Sequence, residues 1–90
     1  MITFKISISG KVQGVGFREF ARKNASIYGV KGYVKNMTGG DVEIIAQGND
    51  LNISKFTKEM KRGPLLAHIK NVVVDKISED VKYEGFIIEL

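Results

Sequence analysis

Cysteine and tryptophan are absent from this 90-residue chain, and histidine and proline occur once each. Without cysteine there are no disulfides, thiolate nucleophiles or cysteine metal ligands, and one histidine, His68, leaves little for a zinc site or a histidine proton relay. Any chemistry therefore falls to arginine, lysine, amides, hydroxyls and carboxylates. No apolar run approaches the roughly 20 residues of a membrane span. The opening Met1-Ile2-Thr3-Phe4-Lys5 alternates at once and does not form the apolar block of a signal peptide. A soluble, cytoplasmic protein with no membrane partner is the expectation. With 43% apolar residues, the chain is expected to form one domain over residues 1–90 around one modest core, and a monomer is the simplest assembly.

The net charge of +4 is unevenly placed. Residues 1–45 carry seven Lys and Arg against three Asp and Glu, whereas residues 46–90 carry seven of each. The excess surrounds the stretch Gly10-Lys11-Val12-Gln13-Gly14-Val15-Gly16-Phe17-Arg18. An alternating apolar segment precedes this stretch and helical spacing follows it, so it reads as a glycine-rich turn between a strand and a helix. Such a turn suits an oxyanion: glycines let backbone N–H groups curl inward, and a helix starting near Phe17 adds unpaired amides and a positive dipole end. Arg18 supplies a forked full charge. A tight turn carrying a surface arginine would look the same in isolation, and a local positive field also suits nucleic acid.

The remainder of the chain is regular. Ile2, Phe4, Ile6 and Ile8 alternate with Thr3, Lys5, Ser7 and Ser9, the period of a strand with one buried face. Phe17, Phe20, Ala21, Asn24, Ala25 and Tyr28 recur at helical steps, and Gly29 is a C-terminal stop. Val30, Gly32, Val34 and Asn36 share one face of a second strand. Met37-Thr38-Gly39-Gly40 is turn chemistry, and Val42, Ile44 and Ala46 continue into a third strand, making a hairpin. Gly48-Asn49-Asp50 supplies a loop and a helix N-cap. Ile53, Phe56, Thr57 and Met60 form the stripe of a second helix that stops at Gly63-Pro64. Between His68 and Ile77 no single alternation fits both Ile69 and Val72, so a bulge or change of face is expected there. After a turn around residues 79–84, Phe86, Ile88 and Leu90 alternate in a terminal strand. This order predicts an α+β fold, a ferredoxin-like α/β sandwich (βαββαβ) with an antiparallel sheet of four to five strands and two helices on one face.

The stretch from Gly10 to Arg18 resembles the first signature of the acylphosphatases. Gly32-Tyr33-Val34-Lys35-Asn36, followed by Gly40, Val42 and Gly48, resembles the second, and Gly63-Pro64-Leu65-Leu66-Ala67-His68-Ile69 resembles that family's run into its fourth strand. The resemblance extends over nearly the whole chain in order and spacing. It implies a small cytosolic hydrolase that cleaves the carboxyl-phosphate bond of acyl phosphates without metal or cofactor. By motif position, Arg18 would bind the phosphoryl oxygens with the backbone amides of Gln13, Gly14, Val15, Gly16, Phe17 and Arg18, while Asn36 would orient the attacking water. Inorganic phosphate would bind as product and competitor.

The residue chemistry is compatible with that role. Phosphoryl transfer is chiefly positioning and charge stabilisation, and a carboxylate leaving group, with a pKa of about 4 to 5, needs no general acid. The Asn36 amide is not a base near neutrality but can both donate to and accept from water. An ordinary turn asparagine would occupy the same place. Gln13 is expected to contribute a backbone amide in preference to its side chain. Phe17 and Phe20 are expected in the core, Tyr33 on the face opposite Asn36, Lys11 in solvent, and His68 at the start of a strand without a catalytic part. A nucleic-acid-binding module shares the element order, but Lys31-Gly32-Tyr33 departs from the aromatic string of RNA-recognition sheets at Val34-Lys35-Asn36-Met37. A non-catalytic domain that senses acyl or carbamoyl phosphate is the third reading. No nucleic-acid partner is expected.

Overall fold

The opening alternation forms β1 (Ile2–Lys11), and the change to helical spacing after the glycine loop forms α1 (Phe17–Tyr28). β2 (Lys31–Asn36), β3 (Val42–Gly48), α2 (Asp50–Arg62), β4 (His68–Ile77) and β5 (Phe86–Glu89) follow. The structure, a computed structural model, describes residues 1–78 and 80–90. Glu79, at the start of the turn expected over residues 79–84, lies outside the described residues. Gly29 caps α1 in the left-handed conformation, its N–H donating to the Ala25 carbonyl. Asn49 begins α2, its side chain accepting from the Asn52 N–H at 2.8 Å.

The five strands form one sheet in the order β4-β1-β3-β2-β5. β1 is antiparallel to both β3 and β4, and β2 is antiparallel to β3, as the predicted hairpin requires. β5 departs from the expected antiparallel sheet, because it lies parallel to β2 and makes the sheet mixed. The cause is the route of the chain. β4 lies on one edge, and the following segment carries the chain to the other edge before β5 begins. Alternation reports which face a residue occupies; it carries no information on which neighbour a strand meets or in which direction.

Register aligns an apolar row from Val74 through Ile6, Ile44 and Val34 to Ile88. The next row runs Val72, Ile8, Val42 and Asn36. Both helices cover this face, with Phe17 and Ala21 from α1 and Ile53, Phe56 and Met60 from α2 buried against it. Fully burying side chains of this kind contributes roughly 1.5–3 kcal/mol each. Asn36 thus ends a core row at the margin, where the helix layer gives way to the loop before α1. The irregular alternation in β4 also has its explanation here. Ser9 pairs with Asn71 but Gly10 pairs with Ile69, so Lys70 is the extra residue of a bulge. That insertion brings Ile69 and Val72, of opposite parity, onto the same core.

The opposite sheet face, expected to be polar, is partly covered by the segment leading to β5. Gln47 is 3% exposed there. Its Nε2 donates to Thr3 Oγ1 at 3.0 Å and to the Val81 carbonyl at 2.7 Å, and its Oε1 accepts from the Tyr83 N–H at 3.0 Å. One side chain therefore fastens the crossing segment to the sheet, and Thr3 is buried with it. Gln47→Ala strands these groups and should destabilise the protein by about 1–3 kcal/mol, read as a lowered denaturation midpoint. An unchanged midpoint would show that the segment is held by other contacts. Tyr33 lies on this face, its ring edge-to-face with that of Tyr83 at 6.1 Å. Burial, with Glu43 close by, pushes its phenol up to about 12.

Candidate active site

Two glycines shape the loop between β1 and α1. Gly14 and Gly16 have φ of 74° and 80°, and no other atom lies within 4 Å of where a Cβ would sit. Space is not what calls for glycine at these positions. The left-handed backbone is, since side-chain-bearing residues adopt it at a cost. Turns of this kind direct successive N–H groups towards a common centre. Gly16 is also the N-cap of α1, and no side chain caps that helix. In α2, by contrast, the Asn49 side chain closes the first turn, whereas the first turn of α1 has no side-chain acceptor for its amides.

The loop, the end of β2 and the end of the chain enclose a cleft of about 290 Å³. Gly14, Gly16, Phe17, Arg18 and Asn36 line it, together with the apolar Ile88 and Leu90. Arg18 and Asn36, separated by a strand and a helix in sequence, thus face one space. Among the described residues, neither side chain makes a hydrogen bond or ion pair within the protein. The other two arginines are paired, Arg22 with Glu19 and Arg62 with Glu59. Of the other residues proposed for the amide cradle, Val15 lies in the loop with its side chain packed against the core, and Gln13 turns its side chain away towards the β2–β3 turn.

Glu19 was not expected in the site. It lines the cleft next to Arg18. Its hydrogen bond to Arg22 holds its carboxyl below the usual carboxylate range, and the same contact raises the Arg22 guanidinium. A carboxylate beside an anion site would repel the ligand, and Arg22 offsets that charge. Arg22→Ala should therefore raise KM for a phosphorylated substrate about threefold, with kcat little changed and the effect shrinking at high salt. Equal loss of kcat and of affinity would contradict this. His68 is exposed at the start of β4 and does not line the cleft. Among the described residues, no group of three or more His, Asp or Glu side chains could hold a metal ion. Among the same residues, no helix is long and apolar enough to cross a membrane.

A second cleft of about 320 Å³ lies between α2 and the β1–β4 side of the sheet, lined by Phe4, Ile53, Thr57, Lys58, Lys61 and Val74 among others. Size does not separate the two clefts. Only the first brings a guanidinium, turn amides and an unpaired carboxamide together.

The model of the family described as Acylphosphatase matches residues 4–88. An acylphosphatase of Archaeoglobus fulgidus is 49% identical over 86 residues, covering 96% of each chain. The crystal structure of acylphosphatase from Bacillus subtilis superposes with a TM-score of 0.96 at 31% identity, covering 100% of both chains. Full-length HypF in its phosphate- and nucleotide-bound form contains a similar unit, with a TM-score of 0.91 and 35% identity over 98% of this chain and 12% of that one.

Proposed function

This chain belongs to the acylphosphatase family and is a hydrolase of that class, and from that premise we propose that it cleaves acyl phosphates by direct attack of water on phosphorus within the Arg18–Asn36 cleft. The single observation that carries this reading is the convergence of Arg18, the loop before α1 and Asn36 on one space.

The phosphoryl group sits against the amides of residues 13–18, with the Arg18 fork on two of its oxygens. Charge on those oxygens is redistributed as the bond to the carboxylate lengthens, and donors already in place stabilise it without reorganising. Asn36, without a side-chain partner among the described residues, holds the water opposite the leaving oxygen. Water adds to phosphorus, the P–O bond to the acyl group breaks with its electron pair, and the carboxylate leaves unprotonated. The proton of the attacking water passes to a phosphoryl oxygen of the substrate itself, since neither Arg18 nor Asn36 accepts it and the Glu19 carboxylate is engaged by Arg22, which weakens it as a base. The products are a carboxylate and inorganic phosphate, and the residues assign no step to a cofactor.

Ile88 and Leu90 line the same cleft, and an apolar acyl group suits them, which makes benzoyl phosphate the natural probe. The test is phosphate release from benzoyl phosphate in the presence of a chelator, with inorganic phosphate as competitor, beside a salt titration against single-stranded RNA. Turnover that persists with chelator and is competitively inhibited by phosphate is the expected result. Binding of acyl phosphate without turnover would favour a sensing domain, and salt-dependent RNA binding without turnover would favour a nucleic-acid module.

A further inference from the structure

We propose that Gln13 is a positioning residue for the water attack: its side-chain amide ties the phosphate loop to the turn that follows Asn36 and so sets the water opposite the phosphoryl group. This inference rests on the function proposed above. Gln13 Nε2 donates to the Met37 carbonyl at 2.9 Å and to the Asp41 carbonyl at 2.9 Å. Both acceptors are carbonyl oxygens, so only the nitrogen end of the amide can face them, and both of its hydrogens are used.

Those two carbonyls are the ones that close the β2–β3 turn. Met37 N–H donates to Asp41 O at 2.8 Å, and Gly40 N–H donates to Met37 O at 3.2 Å. With Gln13 added, each carbonyl accepts two hydrogen bonds and its lone pairs are fully engaged. Asn36 immediately precedes Met37 and is the last residue of β2. Among the described residues, no other side-chain hydrogen bond or ion pair joins residues 12–18 to residues 36–41. The cradle and the water-orienting residue, remote in sequence, are thus joined by one carboxamide in addition to the sheet that carries β1 and β2.

The turn keeps its own two backbone bonds when that amide is removed. Losing it therefore frees the turn to shift against the loop without opening either. Attack geometry is sensitive to such a shift, because a displacement of about 1 Å costs on the order of 100-fold in rate. Phosphate affinity, set by the loop and Arg18, should change little.

The experiment is a double-mutant cycle on benzoyl phosphate hydrolysis, with Gln13→Ala and Asn36→Ala made singly and together, and inorganic phosphate inhibition measured for each. Gln13→Glu serves as a second single variant, equal in shape but turning a carboxylate oxygen onto the two carbonyls. Gln13→Ala and Gln13→Glu should lower kcat about 10- to 100-fold, with the phosphate inhibition constant shifting less than about threefold. In the Asn36→Ala background, Gln13→Ala should lower kcat by less than about twofold, because the residue it positions is already gone. Equal loss of kcat in both backgrounds, or a loss carried by phosphate affinity, would overturn the assignment. A general folding defect would give that pattern too, and counts against it. Wild-type protein inert towards benzoyl phosphate would instead refute the function on which the inference stands.

Discussion

Arg18→Ala is expected to lower kcat/KM for benzoyl phosphate by at least about 1,000-fold, with both turnover and inorganic phosphate binding impaired. The size follows from what the cleft contains. Arg18 is a full positive charge without a carboxylate partner among the described residues, facing the same space as the amides before α1. Among the described residues, no other that lines that cleft carries a positively charged side chain. Removing the fork leaves the amides to hold the anion alone, with Glu19 still beside them. Arg18→Lys separates charge from geometry, because a lysine restores the charge as a point without the paired, planar donors. A loss of roughly 10- to 100-fold is expected from that change, the scale of one or two charge-assisted hydrogen bonds. Wild-type rates in Arg18→Lys would show that the fork has no special part.

Asn36→Ala should act on a different quantity. Turnover is expected to fall about 100-fold or more while inhibition by inorganic phosphate stays within a few-fold of wild type. The residue sits at the end of a core row, lines the cleft and contributes no charge to anion binding. Its loss leaves the phosphoryl group held but the water unaimed. Asn36→Asp keeps the shape yet sets a negative charge towards the substrate, and should impair both binding and turnover. An unchanged rate in Asn36→Ala would remove the water-positioning role altogether.

The fold was legible to the extent that each element's apolar face was local information. The row beginning at Ile6 and Ile8, the stop at Gly29, and the hairpin through residues 37–41 follow from spacing and turn chemistry. Even the misfit between Ile69 and Val72 marked a real bulge at Lys70. What spacing could not carry was long-range. Thr3, a polar position in a clean alternation, is buried because a segment more than 70 positions later crosses over it and is fastened by Gln47. The parallel placement of β5 is settled by the same crossing.

The candidate site divides in the same way. Arg18 and Asn36 stood in recognisable motifs, and the glycines before α1 announced a turn able to present amides. Gln13 stood in the motif too, but the partners of its side chain are two main-chain carbonyls 24 and 28 positions away, and a carbonyl has no signature in sequence. Ile88 and Leu90 read as ordinary strand residues; the placement of β5 beside β2 and the residue that follows it bring them to the cleft. Glu19 pairs with Arg22 three residues on, and its position at the cleft depends on how α1 sits over the sheet.

The central claim is that the cleft grips the phosphoryl end of the substrate and aims water at phosphorus. Hydrolysis of benzoyl phosphate in water enriched in heavy oxygen tests it most directly, followed by mass analysis of both products after one turnover. Heavy oxygen in the inorganic phosphate and none in the benzoate is the predicted result. Label in the benzoate carboxyl would mean that water attacks the carbonyl carbon, and that Arg18 and Asn36 do not perform the roles assigned to them.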